Sequence, residues 1–334
     1  MFFKNCRCTH RFIEISGLPA STLKSRIQGN VMEKNNLRAH LALLVAMIVW
    51  GSSFIALKTA VTAMSPMIVV FLRMTIGAVA FLVVWPWLRH GLRYQQGDWK
   101  YLIGMALFEP CLYFLFEVQA LQYTSAGQAG MITALLPLLV AATAFYFLKE
   151  RNTLRQWSGL IIAVLGVIVM TVTSQSTDQA PNALLGNALE VCAMMAAVGY
   201  IMLAKHLIHR YSAFVLTATQ QFVGALFFLP MAAQADWPSE LPMIVFGSVI
   251  YLGLVVSIGA YGLYNYSLAQ LNASTAAGYT NLIPVFTLMF SMLLLGERMQ
   301  RLQWLAIGLV FVGVFLSQKT TRVVPKDVPP GVTG

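Results

Sequence analysis

One pattern of residues occurs twice in this chain, as PLLVAATAFYFLKERNTLRQWSGLIIAVLG at residues 137–166 and as PVFTLMFSMLLLGERMQRLQWLAIGLVFVG at residues 284–313. Both copies begin with proline, contain a Glu-Arg pair and a Gln-Trp pair at the same places, and end with glycine. The matched residues are 147 positions apart, as Pro137 is from Pro284. Since the same offset joins Lys58 to Lys205, the duplicated unit is much longer than a small solenoid repeat.

The composition indicates that this duplicated unit lies in a membrane. The chain is 58% hydrophobic and 10% charged with a mean hydropathy of +0.71, whereas a soluble domain has about 25% charged residues. So much apolar surface cannot be buried inside one globule and must face lipid. We predict an all-α integral membrane protein with ten transmembrane helices of about 20 residues, at 40–58, 66–88, 99–121, 125–148, 156–174, 184–204, 213–234, 241–266, 272–295 and 302–318.

The Lys and Arg residues predict the orientation of these helices, because they concentrate in cytoplasmic loops. In the ten-helix arrangement, 18 of the 22 lie in the two tails and in the loops after helices two, four and six. We therefore expect a multi-pass protein of the cell (inner) membrane with both termini cytoplasmic. The net charge of +10 then reflects loop topology, which disfavours the alternative of a nucleic-acid-binding surface.

The odd number of crossings in each copy predicts an inverted repeat. Five crossings bring the chain to the opposite side, so the second copy must lie upside down relative to the first. Inverted repeats are a recurrent design of secondary transporters, in which a central site opens alternately to the two sides. The alternative is that the duplication only builds a stable bundle.

The repeats divide the chain into five parts. We expect residues 1–37 to form a disordered cytoplasmic tail that is not a signal peptide, because it has no apolar core. Translation is expected to start naturally at Met32, because Met32-Glu33-Lys34 immediately precedes the first helix. The first repeat is predicted at 38–174, an external linker at 175–183 and the second repeat at 184–318. Residues 319–334 are expected to form a cytoplasmic C-terminal tail.

Several motifs resemble those of one transporter family. They are Trp50-Gly51-Ser52-Ser53-Phe54 followed by Lys58, Pro66 and Arg73, the run ALQYTSAGQA at 120–129, and Asn281-Leu282-Ile283-Pro284 followed by Leu295-Gly296-Glu297-Arg298. As a set over residues 38–318, they resemble the EamA-type members of the drug/metabolite transporter (DMT) superfamily. The first copy departs from the pattern, with Lys149 where the second has Gly296.

This resemblance implies two EamA repeats of five helices around a central substrate cavity. It also implies transport of small organic solutes, since relatives of this type often export amino acids or other metabolites. The family is broad and does not give the substrate.

Helix three contains the acidic residues that we consider first for chemistry. Glu109, Tyr113 and Glu117 are spaced at i, i+4 and i+8 and therefore share one face. Glu109 is expected near the membrane midplane, and Pro110 after it removes a helix hydrogen bond. Transporters bind ligands or protons at broken helices of this kind. The alternatives are that Glu109 is protonated and structural and that Glu117 pairs with Arg73.

The other predicted site residues are polar or aromatic positions inside the membrane. A buried arginine is costly and usually faces a cavity or a partner, so Arg73 is predicted as a coupling or structural charge. The remaining candidates for binding substrate are Trp50 near the middle of helix one, Tyr261, Tyr264 and Asn265 on one face of helix eight, and Asn281 on helix nine. The alternative for this group is packing and hydrogen bonding between helices.

Four further residues have structural interpretations. Pro137 and Pro284 occupy equivalent positions within their helices and are predicted to kink them. Glu150 and Glu297 lie at helix ends, where we expect them to cap a helix or pair within a loop. Glu190 lies about two turns inside helix six and is given no role.

No enzyme motif is present in the sequence. It lacks H-E-x-x-H, a phosphate-binding glycine loop and G-x-S-x-G, so we expect neither an enzyme nor an ATP-driven pump. No cofactor and no metal are predicted, since Cys6, Cys8 and His10 alone are too few ligands for a closed site.

The favoured function is a secondary transporter that exports small metabolites such as amino acids, as a monomer or homodimer in the lipid bilayer, with no nucleic-acid partner. The alternatives are an exchanger of sugar phosphates or nucleotide sugars, a channel, and a membrane scaffold that transports nothing. A phosphorylated substrate would need paired buried cations, and only Arg73 is deep.

Overall fold

The computed structural model describes residues 20–88, 94–148, 153–207, 210–268, 270–271 and 279–317. These residues are helical apart from turns, and their only extended pairing is a single bridge between Thr177 and Ala180. The helices are α1 (Ala20–Ala63), α2 (Pro66–Leu88), α3 (Trp99–Tyr123), α4 (126–148), α5 (Leu154–Val172), α6 (Ala183–Leu207), α7 (Ala213–Ala233), α8 (243–268), α9 (Ile283–Leu294) and α10 (Arg301–Ser317).

Eight of these helices, α1 to α8, are long and apolar enough to cross a membrane. The other two, α9 and α10, are apolar but shorter. The all-α membrane architecture expected from the composition is therefore confirmed, whereas the number of ten crossings stays a prediction.

Helix α1 begins earlier than the sequence analysis expected. It runs without interruption from Ala20 to Ala63, so the last part of the predicted disordered tail is helical. No proline occurs between Pro19 and Pro66, and a helix that has already formed extends at little further cost. The earlier residues and the predicted C-terminal tail, 319–334, lie outside the described residues.

Two helices contain wide turns at equivalent places in the repeats. Helix α3 is widened to a π-helix over Leu107–Leu112, where Glu109 has an extended backbone (φ −143°, ψ 115°). Pro110 explains this break, because it has no N–H to donate. Helix α8 is widened over Tyr251–Ala260. This segment includes the residues that match Leu107–Leu112 by the 147-residue offset, and it contains no proline.

Glycines allow helices of the two repeats to pack closely against each other. Helix α5 packs against α10, where Gly166 faces Ala306 and Val310, and a Cβ atom on Gly313 would lie 2.5 Å from the carbonyl oxygen of Gly159. Helix α7 approaches α3 through Gly224, where a Cβ atom would lie 2.7 Å from the Pro110 ring. Small residues allow membrane helices to come this close.

The two repeated prolines have different structural roles. Pro137 follows a 3-10 turn at Thr133–Leu135 inside α4, so α4 is irregular there, as predicted. Pro284 lies in the first turn of α9, and a turn at Asn281-Leu282 separates α9 from the helical residues 279–280, so the predicted ninth helix is interrupted beside this proline. A first-turn proline is well tolerated because the N–H it lacks would have no partner in the helix.

Glu297 caps a helix of the other repeat. Its two carboxylate oxygens accept hydrogen bonds from the backbone N–H groups of Ala126 and Gly127, each at 2.9 Å. A carboxylate there also interacts favourably with the helix dipole of α4. Helix capping, expected from the sequence, is confirmed for Glu297, whereas Glu150 lies outside the described residues.

The linker between the repeats lies at one end of the bundle. Asn182 donates its backbone N–H to the carbonyl oxygen of Tyr123 at 3.1 Å, and Gln179 reaches the carbonyl oxygen of Leu295 at 3.0 Å. The ends of α3 and α9, the start of α4 and the linker therefore meet, and we call this end the linker face. Toward the other end, Arg210 forms an ion pair of 2.7 Å with Asp98 between two loops.

Candidate functional site

A buried carboxyl group lies between the two wide turns. Glu109 is 7% exposed, and its Oε1 atom accepts a hydrogen bond of 2.6 Å from the Tyr261 hydroxyl of α8. The peptide bond from Glu109 to Pro110 is cis. The break in α3 thus places a carboxyl group from the first repeat against a tyrosine of the second.

An aromatic cluster adjoins this carboxyl group. The ring of Trp50, from α1, lies 5.2 Å from that of Tyr261 and 5.1 Å from that of Tyr264. Tyr200 of α6 interacts electrostatically with Glu109 and with both tyrosines. The structure therefore brings together four residues that the sequence singled out, Trp50, Glu109, Tyr261 and Tyr264.

Two hydrogen bonds join the repeats in a reciprocal manner. Arg73 of α2 donates from Nε to the Ser257 hydroxyl in the π-turn of α8, at 3.3 Å. Its repeat mate, Gln220 of α7, donates to the backbone carbonyl of Glu109 in the π-turn of α3, at 2.9 Å. Each repeat therefore donates a hydrogen bond to the widened helix of the other repeat, and the two donors, Arg73 and Gln220, are equivalent by the repeat offset.

Arg73 is buried, 4% exposed, but it does not form the ion pair with Glu117 that the sequence suggested. Its guanidinium carbon lies 4.2 Å from the ring centre of Phe114, an arrangement that favours a cation. It still interacts electrostatically with Glu109 and Glu117. The expectation of direct pairing was wrong because spacing along α2 and α3 does not define the rotation of one helix against the other.

Glu117 shares one face of α3 with Tyr113, as predicted, whereas the helix is broken at Glu109, with which Glu117 interacts electrostatically. The Oε1 atom of Glu117 accepts a hydrogen bond of 2.7 Å from the hydroxyl of Tyr113, one turn earlier in α3. Tyr113 and Glu117 both interact electrostatically with Glu190 of α6. The acidic side chains Glu109, Glu117 and Glu190 therefore extend from the central site on α3 to α6.

The central cavity is closed. It has a volume of about 10 Å³, close to the minimum that holds one water molecule. The residues around it are Arg73, Glu109, Pro110, Phe114, Thr217, Gln220, Gln221, Ser257 and Tyr261. A metabolite can enter only if the helices around this cavity move apart.

A second, larger cavity lies on the linker face. It has a volume of about 340 Å³ and is lined by residues from the start of α4, the linker and the turn between α9 and α10. Lys58 donates hydrogen bonds to the carbonyl oxygens of Leu121, Thr124 and Gln179, the last of which lines this cavity. Those bonds tie α1, the end of α3 and the linker together.

The two remaining predicted substrate-binding residues, Asn265 and Asn281, are not placed in the central cluster by the described structure. Asn281 lies in the turn before α9, where the nearby Tyr279 hydroxyl lies 3.0 Å from Nδ1 of His40. Asn265 is among the residues whose side chains lie outside the described structure. For Asn265 and Asn281, binding of substrate remains a prediction.

Sequence reasoning missed Ser257, Gln221 and Tyr200 at the centre. Ser257 could have been found through the repeat, because its mate by offset is Pro110. The Gln221 Oε1 atom is buried at the cavity with no hydrogen-bond partner among the described residues. No sequence signal distinguished Tyr200 from other aromatic residues.

Comparison with known proteins places this arrangement in a family. The model of the EamA-like transporter family matches residues 37–172 and again residues 184–318. The resemblance seen in the motifs is therefore confirmed, as are the membrane and transport classes that it implied.

Similar proteins align along most of their length. "Uncharacterized transporter YetK" of Bacillus subtilis is 27% identical, over 86% of this chain and 89% of the relative. An "Uncharacterized transporter" of Archaeoglobus fulgidus is also 27% identical, over 84% and 98%. A "Probable terminal-alkyne amino-acid exporter" of Streptantibioticus cattleyicolor is 25% identical, over 84% and 93%.

A solved structure shows the same fold at low sequence identity. Described only as "Crystal structure of protein", it is 18% identical with a TM-score of 0.59, over 84% of this chain and 96% of its own. This likeness supports the helical fold and says nothing of substrate.

Proposed function

Since the chain belongs to the EamA-like transporter family, we propose that it is a secondary transporter of small organic metabolites such as amino acids. The observation that carries this proposal is Glu109, a carboxyl group buried where α3 is interrupted and bonded to Tyr261 of the other repeat. Charged residues inside a membrane are costly and usually serve function. The transporter names of the relatives favour this role over an enzymatic one.

The proposed topology has ten crossings in two inverted repeats, 38–174 and 184–318. Helix α9 has 12 residues and is about 18 Å long at 1.5 Å per residue. It crosses the bilayer only together with the residues before it, which we include in a ninth crossing at 272–295. The distribution of Lys and Arg supports cytoplasmic termini and an outward linker face in the cell (inner) membrane.

Alternating access is the proposed mechanism. The central cavity is closed, while the larger cavity is on the linker face. The reciprocal bonds of Arg73 and Gln220 hold the repeats together at the closed centre. Exchanging these bonds for bonds to a solute would let one repeat move against the other, in the manner of inverted-repeat transporters.

The residues at the centre suit an amino acid. An ammonium group would bind the Glu109 carboxylate and the unpartnered Gln221 Oε1, and the rings of Trp50 and Tyr261 would pack against the solute. The Arg73 guanidinium is available for a carboxylate group. One relative is named as an amino-acid exporter, which supports this substrate class and outward direction.

The alternative substrates fit less well. Sugar phosphates and nucleotide sugars need several buried cations, and Arg73 is the one Lys or Arg at the central cavity in the described structure. A scaffold that transports nothing would not need a buried carboxyl group at its centre. We propose a monomer or homodimer in lipid as the working unit.

A solute screen in liposomes tests the proposal. The reconstituted protein is offered labelled amino acids and other metabolites, with and without a pH gradient, beside Glu109→Gln and Glu240→Gln. Glu240 is exposed in the loop before α8 and serves as the control. We expect transport by the native chain and by Glu240→Gln and its loss in Glu109→Gln; no transport in any condition would refute the proposal.

A further inference from the structure

Glu190 of α6 is a second buried carboxyl group without an assigned role. It has no exposed surface, and neither of its carboxylate oxygens has a hydrogen-bond partner among the described residues. Burial of an unpaired carboxylate is very costly, so such a group normally binds a cation or a proton. Glu190 therefore needs a ligand that the protein's own described groups do not supply.

The charged and titratable groups around Glu190 come from α3. Glu117 and Tyr113 interact electrostatically with it, and Glu117 is itself only 4% exposed. Farther away, Arg73 interacts with Glu117, and Lys58 is bonded to carbonyl oxygens at the end of α3. Helices α3 and α6 pack against each other, and two buried carboxylates that interact across this contact repel each other, so they are expected to share one proton.

Polar side chains connect Glu190 to the linker-face cavity. Asn187 lies one turn before Glu190 on α6 and donates to Gln128 at 3.0 Å and to Thr171 at 2.8 Å. Gln128 lines the cavity and donates to Ser174, another lining residue, at 2.8 Å. Buried amides and hydroxyls thus extend from the cavity to within one helical turn of Glu190.

On its other side, the carboxyl pair adjoins the central site. Tyr113 donates to Glu117 and also interacts electrostatically with Glu109, one turn earlier on α3. Glu190, Glu117 and Glu109 therefore form a sequence of acidic groups from the linker-face side to the centre. The repeat mates of the two on α3, Val256 and Tyr264, are not acidic, so this sequence is one-sided.

We propose that Glu190 and Glu117 form a proton-binding pair that is loaded from the linker-face cavity. One proton from the water in that cavity converts one carboxylate of the pair to the acid, and the pair then has one negative charge in place of two. This inference rests on the proposed function, in which Glu109 is the site that the loaded proton serves. A proton fits better than a metal ion, because no group of three or more His, Cys, Asp or Glu side chains is assembled in the described residues.

Infrared spectroscopy of the full chain in liposomes tests this pair directly. A protonated carboxylic acid has a C=O stretch that a carboxylate lacks, and its intensity is followed while the pH is raised. We expect Glu190→Gln to remove part of this band, whereas Glu240→Gln leaves it unchanged. An unchanged band in Glu190→Gln at every pH would overturn the proposal, as would a band that sodium abolishes at constant pH.

A second variant leaves both carboxyl groups in place. Gln128→Leu breaks the polar connection at the cavity, and we expect the acid band to remain while its exchange of hydrogen for deuterium becomes slower. Exchange at the native rate would contradict loading from the linker face. Since neither spectrum requires a solute, a failed solute screen would count against the proposed function and leave this result unaffected.

Discussion

At the scale of single residues, the hydrogen bond between Tyr261 and Glu109 is the contact that defines the site. It is short, it joins the two repeats, and it satisfies one oxygen of a carboxyl group that has little access to water. Hydrogen bonds between membrane helices are worth about 0.6 kcal/mol on average, with larger values up to about 1.7. Removing the hydrogen-bond partner of a buried carboxyl group should cost a free energy at the upper end of this range, because the carboxyl group is then left unsatisfied.

We therefore predict that Tyr261→Phe lowers the free energy of unfolding by about 1–2 kcal/mol. Thermal unfolding in detergent measures the change. Tyr264→Phe is the matched control, since that tyrosine packs on Trp50 but its hydroxyl makes no hydrogen bond in the described structure. Equal stability of the two variants would show that the bond to Glu109 contributes nothing.

The residue scale also shows what the sequence could and could not predict. The spacing on helix three correctly placed Tyr113 and Glu117 on one face, whereas Glu109 lies at the break of the helix. The partner of Arg73 was not predictable, because it depends on how α2 faces α8. Glu190 was seen as a residue inside helix six, but its position beside Glu117 required knowledge of which helices are neighbours.

At the scale of helices, the glycines at the α5–α10 crossing determine how closely the repeats pack. A Cβ atom at position 313 would meet backbone atoms of Gly159 and Ala163, each at 2.5 Å. Backbone atoms cannot rotate away as a flexible side chain can, so α10 would have to shift. Gly308 on the same helix has open space where its Cβ atom would lie.

We predict that Gly313→Ala destabilises the protein by about 1–3 kcal/mol through overpacking. Gly308→Ala should be neutral or stabilising by up to about 1 kcal/mol, because alanine is the better helix former. Denaturation of both variants in the same detergent makes the comparison. If the two substitutions have the same effect, the close crossing is not a determinant of stability.

The helices also show the limits of local sequence signals. Pro110 predicted the break in α3, since proline removes a helix hydrogen bond. The equivalent widening of α8 at Tyr251–Ala260 contains no proline, and it was not predicted from the sequence. Pro284 is equivalent to Pro137 by the offset, but it lies at the start of α9, after a turn at Asn281-Leu282, whereas Pro137 follows a 3-10 turn inside α4.

At the scale of the whole molecule, the repeat offset reappears as physical pairing across the bundle. Helix α2 packs against α7 and α5 against α10, and the bonds of Arg73 and Gln220 are related by the same offset. The sequence could predict this duplication because both copies retain the offset without a gap. It could not predict that the centre is closed, because closure depends on side-chain packing between the two halves.

The proposed orientation gives a prediction that labelling can check. In a variant with Cys6, Cys8, Cys111 and Cys192 replaced by Ser, we introduce Asp178→Cys in the linker or Gln95→Cys in the loop before α3. Both positions are exposed. An impermeant thiol reagent added to intact cells should label the cysteine at 178, and the one at 95 only after the membrane is opened; the reverse pattern would invert the topology.

The central claim is that solute crosses the membrane at the buried Glu109 between the two repeats. The most direct measurement is the exchange of labelled for unlabelled amino acid across liposomes containing Glu109→Gln, compared with Glu240→Gln. The account predicts that exchange is lost in Glu109→Gln and retained in Glu240→Gln, with both proteins folded. Exchange at the native rate in Glu109→Gln would contradict it and make Glu109 a structural residue.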